Sequence, residues 1–522
     1  MENFDYDLQS VQEARNLARL GKIATDKLAD YTEEQIDRIL QNMVRVAEEN
    51  AVMLAKMAVE ETGFGKVEDK TFKNHMASTI VYNYIKDMKC AGIIHEDPVN
   101  KVMEVADTVG LIMGIVPSTN PTSTAIYKSM IAIKARNAIV FSPHPSALQC
   151  TLKAATLMRD AAVAAGAPEN VIGCLSMPSM GATDELMKCK ETSMIIATGG
   201  PGMVKAAYSA GKPALGVGAG NSPSYIERTA DVHQSVMDIL ASKTFDNGTI
   251  CASEQSVICE ECNRDQVIAE FKKQGGYFMT AEETAKVCNL LFKNGGHSMS
   301  AKFVGRSAQV IATAAGISIP DGTRVLIGEQ QGVGDGYPLS YEKLTTVLAF
   351  YTVRDWHEAC ELSIKLLQNG IGHTMNIHTN DPQIVREFSR KPASRILVNT
   401  GGTQGGTGAS TALAPAFTLG CGTWGGSATS ENVTPMNLVN IKKVVYGLKD
   451  VTTLAQSDPT FRPDFGCCRG SNAAGAQPSP MQFSGSCNCT TGNQGLPAQD
   501  GIDGKQLLEL VNELVNAMKG GN

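Results

Sequence analysis

Between Val102 and Val217 the chain switches repeatedly between short apolar runs and longer helical stretches, with Gly and Pro at the joints. This alternation constrains the fold most, because strand, helix and strand in succession build parallel βαβ units with helices on both sheet faces. It predicts strands over Leu111–Val116, Ala138–Phe141, Val171–Leu175, Met194–Thr198 and Ala214–Val217. The Ala-rich segment Ser146–Ala165, closed by Gly166 and Pro168, predicts a helix with an ordinary stop signal. In sheets of this kind ligands bind beyond the carboxyl ends of the strands. Upstream, Ile36, Ile39, Leu40, Met43 and Ala47 recur at helical spacing, so Val11 to about Glu60 reads as amphipathic helices that cover the sheet.

A chain of 522 residues exceeds one average domain of about 150. A second α/β stretch runs from about Gly248 to Glu431, with strands expected over Ser300–Val304, Arg324–Ile327, Thr346–Tyr351 and Ile396–Asn399. Asn100–Asp107 and Val439–Tyr446 read as paired strands of a projecting arm, the kind of element that joins subunits. The organisation expected is therefore 1–247 with an arm strand at about 98–109, then 248–432, an arm at 433–449, a flexible linker at 450–501 and an amphipathic helix at 502–522. The linker expectation rests on Gly466–Gly501, where Met481, Phe483 and Leu496 are the only large apolar residues, too few to drive folding by burial.

Composition narrows the partners. Hydrophobic residues make up 43% and charged residues 19%, the profile of a globular protein with a substantial core. The net charge of −7 comes without a long basic run, which argues against nucleic acid or an anionic membrane and for a small molecule. No stretch approaches the roughly 18 apolar residues that span a bilayer, and Met1–Leu20 carries acids where a signal peptide has an apolar core, so a cytoplasmic location is expected. The 14 cysteines are scattered, and Cys90, Cys150, Cys174, Cys288 and Cys360 sit in apolar surroundings as reduced thiols would.

Several strings carry chemistry. Cys251 lies in Thr244-Phe-Asp-Asn-Gly-Thr-Ile-Cys-Ala-Ser-Glu-Gln255, a small, polar, turn-prone setting between two domains where a thiol can be reached. Pro117-Ser118-Thr119-Asn120-Pro121 ends a strand; Asn120 is a turn residue or, with Cys251, a donor to an oxyanion. Thr198-Gly199-Gly200-Pro201-Gly202 sits between a strand and a helix, where backbone N–H groups can meet a pyrophosphate. Ser142-Pro143-His144-Pro145 follows another strand. Val217-Gly218-Ala219-Gly220-Asn221-Ser222-Pro223 follows a third, and Gly372-His373-Thr374 and Phe417 to Gly426 complete the set.

Together these strings, in this order, resemble the aldehyde dehydrogenase superfamily over roughly residues 10–449, in particular its coenzyme A-acylating acetaldehyde and propionaldehyde dehydrogenases. The resemblance implies the superfamily fold: a Rossmann-like NAD-binding domain, an α/β catalytic domain from 248 and a β oligomerisation arm. It implies Cys251 as nucleophile and Asn120 as oxyanion donor. It implies that Ser118, Thr119, Ser142, Pro143, His144, Thr198, Gly199, Gly200, Val217 and Gly218 hold the dinucleotide. Glu342 falls where the superfamily has a Glu that holds the nicotinamide ribose, though a solvated surface role is an alternative. His373 either assists deprotonation of the coenzyme A thiol or hydrogen-bonds a loop.

One departure defines the branch. Hydrolytic members begin the run at residue 217 with a Glu that activates water; Val217 can neither accept a proton nor orient a water. The lysine that most hydrolytic members carry after the strand at 138–141 is also absent, and Ser-Pro-His-Pro stands there. The acyl-enzyme should then wait for the thiolate of coenzyme A, a better nucleophile. A hydrolytic or acyl-phosphate-linked dehydrogenase, or an inactive nucleotide-binding cargo or scaffold protein, is the alternative. In the tail, Leu507, Val511, Leu514 and Met518 share one face with Leu508 and Val515. That helix resembles the encapsulation peptides of bacterial microcompartments, which implies a shell protein as partner and a cytoplasmic microcompartment as location; packing on its own oligomer is the alternative. Cys467, Cys468, Cys487 and Cys489 lack Cys-x-x-Cys spacing, so no metal is expected. A homodimer or homotetramer is expected, with propionaldehyde favoured over acetaldehyde and NAD against NADP left open.

Overall fold

The computed structural model describes residues 5–292 and 297–450, together with Leu454 and Thr460. The expected linker and terminal helix fall almost wholly outside these residues, and contacts divide the chain after Leu448. The unit up to Leu448 opens with two long helices, α1 (Tyr6–Leu28) and α2 (Glu33–Thr62). A capping box starts α2: Thr32 Oγ1 accepts the Gln35 N–H while Gln35 Oε1 accepts the Thr32 N–H. Gly63 ends it at φ 67°, a left-handed conformation that glycine adopts without a Cβ penalty. The face expected from spacing, Ile36, Ile39, Leu40, Met43 and Ala47, is fully buried. A third helix, α3 (Val67–His75), follows and packs against α2.

Three sheets are present among the described residues. A hairpin of β1 (Gly92–Asp97) and β2 (Val102–Thr108) turns where Asp97 Oδ1 accepts the N–H groups of Val99 and Asn100. The chain then enters a parallel sheet of β3 (Leu111–Val116), β4 (Ile139–Pro143), β5 (Ile172–Cys174), β6 (Thr192–Thr198) and β7 (Ala214–Val217), in the order β5-β4-β3-β6-β7. Every residue of β3 and β4 is buried, the signature of a strand covered on both faces. These five strands match the five expected, each bound within two residues.

The second parallel sheet has seven strands: β8 (Ser222–Ile226), β9 (Glu254–Glu260), β10 (Gly276–Phe278), β11 (Val325–Glu329), β12 (Val347–Val353), β13 (Gly372–His378) and β14 (Ala393–Val398). Their order is β10-β11-β12-β9-β8-β13-β14. Sheet membership thus changes between Val217 and Ser222, ahead of the boundary drawn at residue 247 from sequence. Finally β15 (Val439–Val445) returns to pair antiparallel with β2, from Val439 opposite Thr108 to Val445 opposite Val102. The architecture is the α/β fold with an added β arm that the sequence implied.

One expected strand does not form. Ser300–Val304 contains a single 3-10 turn, Ala301–Phe303. Only Phe303 is buried there, Ala301 and Lys302 face solvent, and Gly305 at φ 64° redirects the chain toward Leu344, so no neighbour offers a ladder. No helix among the described residues is long and apolar enough to cross a membrane.

Candidate active site

In the five-stranded sheet the chain runs outward from β3 in both directions, to β4 on one side and β6 on the other. The crevice at such a switch point is where open α/β sheets take ligands. Here the segments after β3, β4 and β6, together with Val217–Ala219, Cys251 and Glu342, line a cleft of about 380 Å³. Phe417 and Leu419 close it on the side of the later chain. Gly200 leads into the helix Pro201–Tyr208, and a Cβ there would meet nothing, so its backbone stands open to the cleft. Ser142 is fixed by Thr183 at 2.9 Å, and His144 Nδ1 accepts from the Ser146 hydroxyl at 2.8 Å.

Cys251 is partly buried at the floor. Burial, reinforced by Glu342 and Cys421 and opposed by Arg395, pushes its thiol up to about 12. Glu342 is itself pushed up to about 7 by burial, while the Gly220 N–H on its Oε1, at 3.0 Å, and the nearby Lys243 and Lys343 favour its charged form. It lines the cleft and is not the solvated surface residue of the alternative. Gly220 packs against the nucleophile: a Cβ there would stand 1.8 Å from the Cys251 carbonyl oxygen.

The approach to Cys251 is bent by two consecutive non-glycine residues at positive φ, Asp246 at 48° and Asn247 at 52°. What holds this bend is a buried cluster. Asp246 Oδ2 accepts from Lys70 Nζ at 2.8 Å, Lys73 Nζ at 2.5 Å and Thr249 Oγ1 at 2.7 Å. Burial opposes ionisation of Asp246, but the two ammonium groups outweigh it and hold the carboxyl below its ordinary range. The same cluster reaches Asn120, whose Oδ1 accepts from Lys73 Nζ at 2.6 Å and whose Nδ2 donates to the Thr249 carbonyl at 3.1 Å. Asn120 precedes the helix Pro121–Lys134 yet its side chain does not cap it; the carboxamide is turned to this cluster instead.

The cleft thus gathers Cys251, Asn120, Ser118, Thr119, Ser142, Pro143, His144, Thr198, Gly199, Gly200, Val217, Gly218 and Glu342 from segments far apart in sequence. His373 is the exception among the expected residues. It lies on β13, fully buried, outside the cleft wall, with Nδ1 against Thr374 Oγ1 at 2.7 Å. Burial, together with the Arg395 charge, holds its basicity well below the usual imidazole range. Its hydrogen-bond partner is the next residue of the same strand and not a loop. Lys70, Lys73 and Arg395 are not among the residues expected from sequence: nothing local in Val67-Glu-Asp-Lys-Thr-Phe-Lys marks its two lysines, and only the fold turns them onto Asp246. Among the described residues no group of three or more His, Cys, Asp or Glu is placed to hold a metal.

Comparison with known proteins agrees with this geometry. The family model described as "Aldehyde dehydrogenase family" matches residues 5–280, more than half of the chain. The bifunctional aldehyde-alcohol dehydrogenase AdhE of Escherichia coli K12 is 47% identical over 442 residues, 83% of this chain and 49% of that protein. The chain spans about half the length of the first curated relatives it matches. An acetylating aldehyde dehydrogenase from Geobacillus thermoglucosidasius superposes with a TM-score of 0.84 at 53% identity, covering 86% of this chain and 99% of that one. A propionaldehyde dehydrogenase from a fucose-utilisation microcompartment of Clostridium phytofermentans superposes with a TM-score of 0.76 at 25% identity, covering 83% and 97%. With a cysteine and an asparagine lining one cleft and a family match across both, the chain belongs to the aldehyde dehydrogenase family.

Proposed function

We propose that this chain oxidises a short aliphatic aldehyde to its acyl-coenzyme A with NAD, through a thioester on Cys251. One observation carries the reading: Val217 is buried in the wall of the cleft that holds Cys251, where a hydrolytic enzyme needs a carboxylate. The segments after β3, β4 and β6 are shaped to take a dinucleotide: open glycine backbone at a helix start, at the switch point of the sheet. NAD, when bound there, supplies the hydride acceptor.

The chain's own residues do the rest. Cys251 Sγ attacks the aldehyde carbon as thiolate, and the Asn120 amide with the Cys251 N–H takes the charge that develops on oxygen. Loss of hydride from that carbon leaves a thioester on Sγ. With valine at 217 no side chain there deprotonates water, and the thiolate of coenzyme A attacks the acyl carbon and releases Cys251. We place propionaldehyde first and acetaldehyde second as substrate. The same reading extends to a cargo role in a bacterial microcompartment, supported by the amphipathic pattern of Leu507, Val511, Leu514 and Met518 and by the polar linker before it. The three-stranded arm, with Ile441, Val444 and Val445 exposed, is assigned to subunit contact in a dimer or tetramer.

The test is NADH formation by the purified full chain with each aldehyde, with and without coenzyme A, with products identified by mass. Sustained turnover only with coenzyme A supports the proposal; sustained release of free acid without it contradicts it.

A further inference from the structure

We propose that Lys73 is a positioning residue that locks the Asn120 carboxamide in one orientation, with an N–H available to the oxygen of an aldehyde attacked by Cys251. The inference rests on the role given to Asn120 above and assigns a new residue to it.

The argument is one of donors and acceptors. An ammonium group has three protons and no lone pair; a carbonyl oxygen has lone pairs and no proton. Lys73 Nζ stands on one side of the carboxamide at 2.6 Å, and the Thr249 carbonyl stands on the other at 3.1 Å. Only Oδ1 can face the first and only Nδ2 the second. A flipped amide would set its NH₂ against the ammonium and its oxygen against a carbonyl oxygen, losing both bonds and adding two repulsions. The remaining Nδ2 proton points to Thr119 Oγ1 at 3.2 Å, a hydroxyl on the cleft wall that a substrate oxygen can replace.

Lys73 is itself held without slack. Its three protons go to Asn120 Oδ1, Asp246 Oδ2 and Thr249 Oγ1, and its side chain is almost fully buried. Neutralising Asp246 does not require it, because Lys70 already pairs with the same oxygen at 2.8 Å and also bonds the Thr119 carbonyl. With Asp69 paired to Lys66 at 2.8 Å, the two buried ammonium groups of Lys70 and Lys73 on the buried Asp246 carboxylate leave an excess positive charge beside Asn120. That charge polarises the carboxamide into a stronger donor and is balanced when an oxyanion forms. Burial pushes the Lys73 ammonium down to about 8, opposed by Asp246 and Asp69 and reinforced by Lys70, so the charge is present at neutral pH.

The test follows the first half-reaction, read as the burst of NADH on mixing the full chain and NAD with propionaldehyde in the absence of coenzyme A. Lys73→Met is expected to slow the burst by about 10²-fold, the order seen when an oxyanion donor is lost, while the NAD dissociation constant stays unchanged. Lys73→Arg, which keeps charge and donor, is expected to restore most of the rate. In the Asn120→Ala background, Lys73→Met is expected to add little, because both changes remove one interaction. Losses that multiply in the double variant would overturn the proposal, since a structural lysine acts independently of Asn120. If Lys73→Met does not fold, Lys73→Gln against Lys73→Arg decides: a slow Gln and a fast Arg variant support the proposal, and equal rates overturn it. A native burst followed by free acid overturns only the acylating reading, whereas no native burst overturns both.

Discussion

At the scale of single residues the reactivity of Cys251 is set by its burial. With its thiol pushed up to about 12, Cys251 is protonated near neutral pH, so its thiolate fraction rises with pH over the whole accessible range. Alkylation of Cys251 by iodoacetamide, followed by mass at that peptide, should therefore quicken about tenfold per pH unit between pH 7 and 10. A plateau below pH 8 would contradict the buried, unactivated thiol. Val217 gives a second expectation. Val217→Glu places a carboxylate in the cleft wall and should raise NADH formation without coenzyme A; an unchanged rate would show that position 217 does not set the fate of the thioester. Cys251 and Asn120 were legible in the sequence because each sits in a short string whose residues all serve the same loop. Lys73 and Asp246 were not, because their meaning lies in a meeting across 173 positions of chain, and no local pattern records that distance.

At the scale of elements, the strands that periodicity found are those whose chemistry is decided locally. The six residues of β3 are buried together and read as one apolar run. Ser300–Val304, with Phe303 and Val304 its only large apolar residues, has no partner strand, and β1, with a largely exposed Gly-Ile-Ile-His-Glu-Asp, exists through pairing with β2. Pairing is a tertiary fact, which is why these two escaped the sequence. The loop that supports the nucleophile depends on the absence of one atom. Gly220→Ala would drive a Cβ into the Cys251 carbonyl, where backbone and no flexible side-chain end stands in the way. The NADH burst should fall by about 10²-fold, as expected for a displacement near 1 Å at a reacting centre; a native burst in this variant would show that the loop yields freely. By contrast Thr32→Ala removes a cap remote from the cleft, and should lower unfolding free energy by about 1 kcal/mol in urea titration with the burst unaffected.

At the scale of the whole molecule, three assignments separate cleanly. If the arm joins subunits, Val444→Lys in its exposed face should lower the assembly state measured by light scattering; an unchanged mass would move subunit contact elsewhere. If the tail is an address, the chain ending at residue 449 should retain its kinetics while no longer co-purifying with shells; unchanged co-purification would remove that role. The central claim, that the acyl group waits on Cys251 for a thiol and not for water, is tested most directly by mass analysis of the Cys251 peptide after reaction with propionaldehyde and NAD. The account predicts a propionyl adduct on Cys251 that persists without coenzyme A and disappears, with matching propionyl-coenzyme A, when coenzyme A is added. An adduct that decays to propionate unaided, or none at Cys251 while NADH forms, would contradict it.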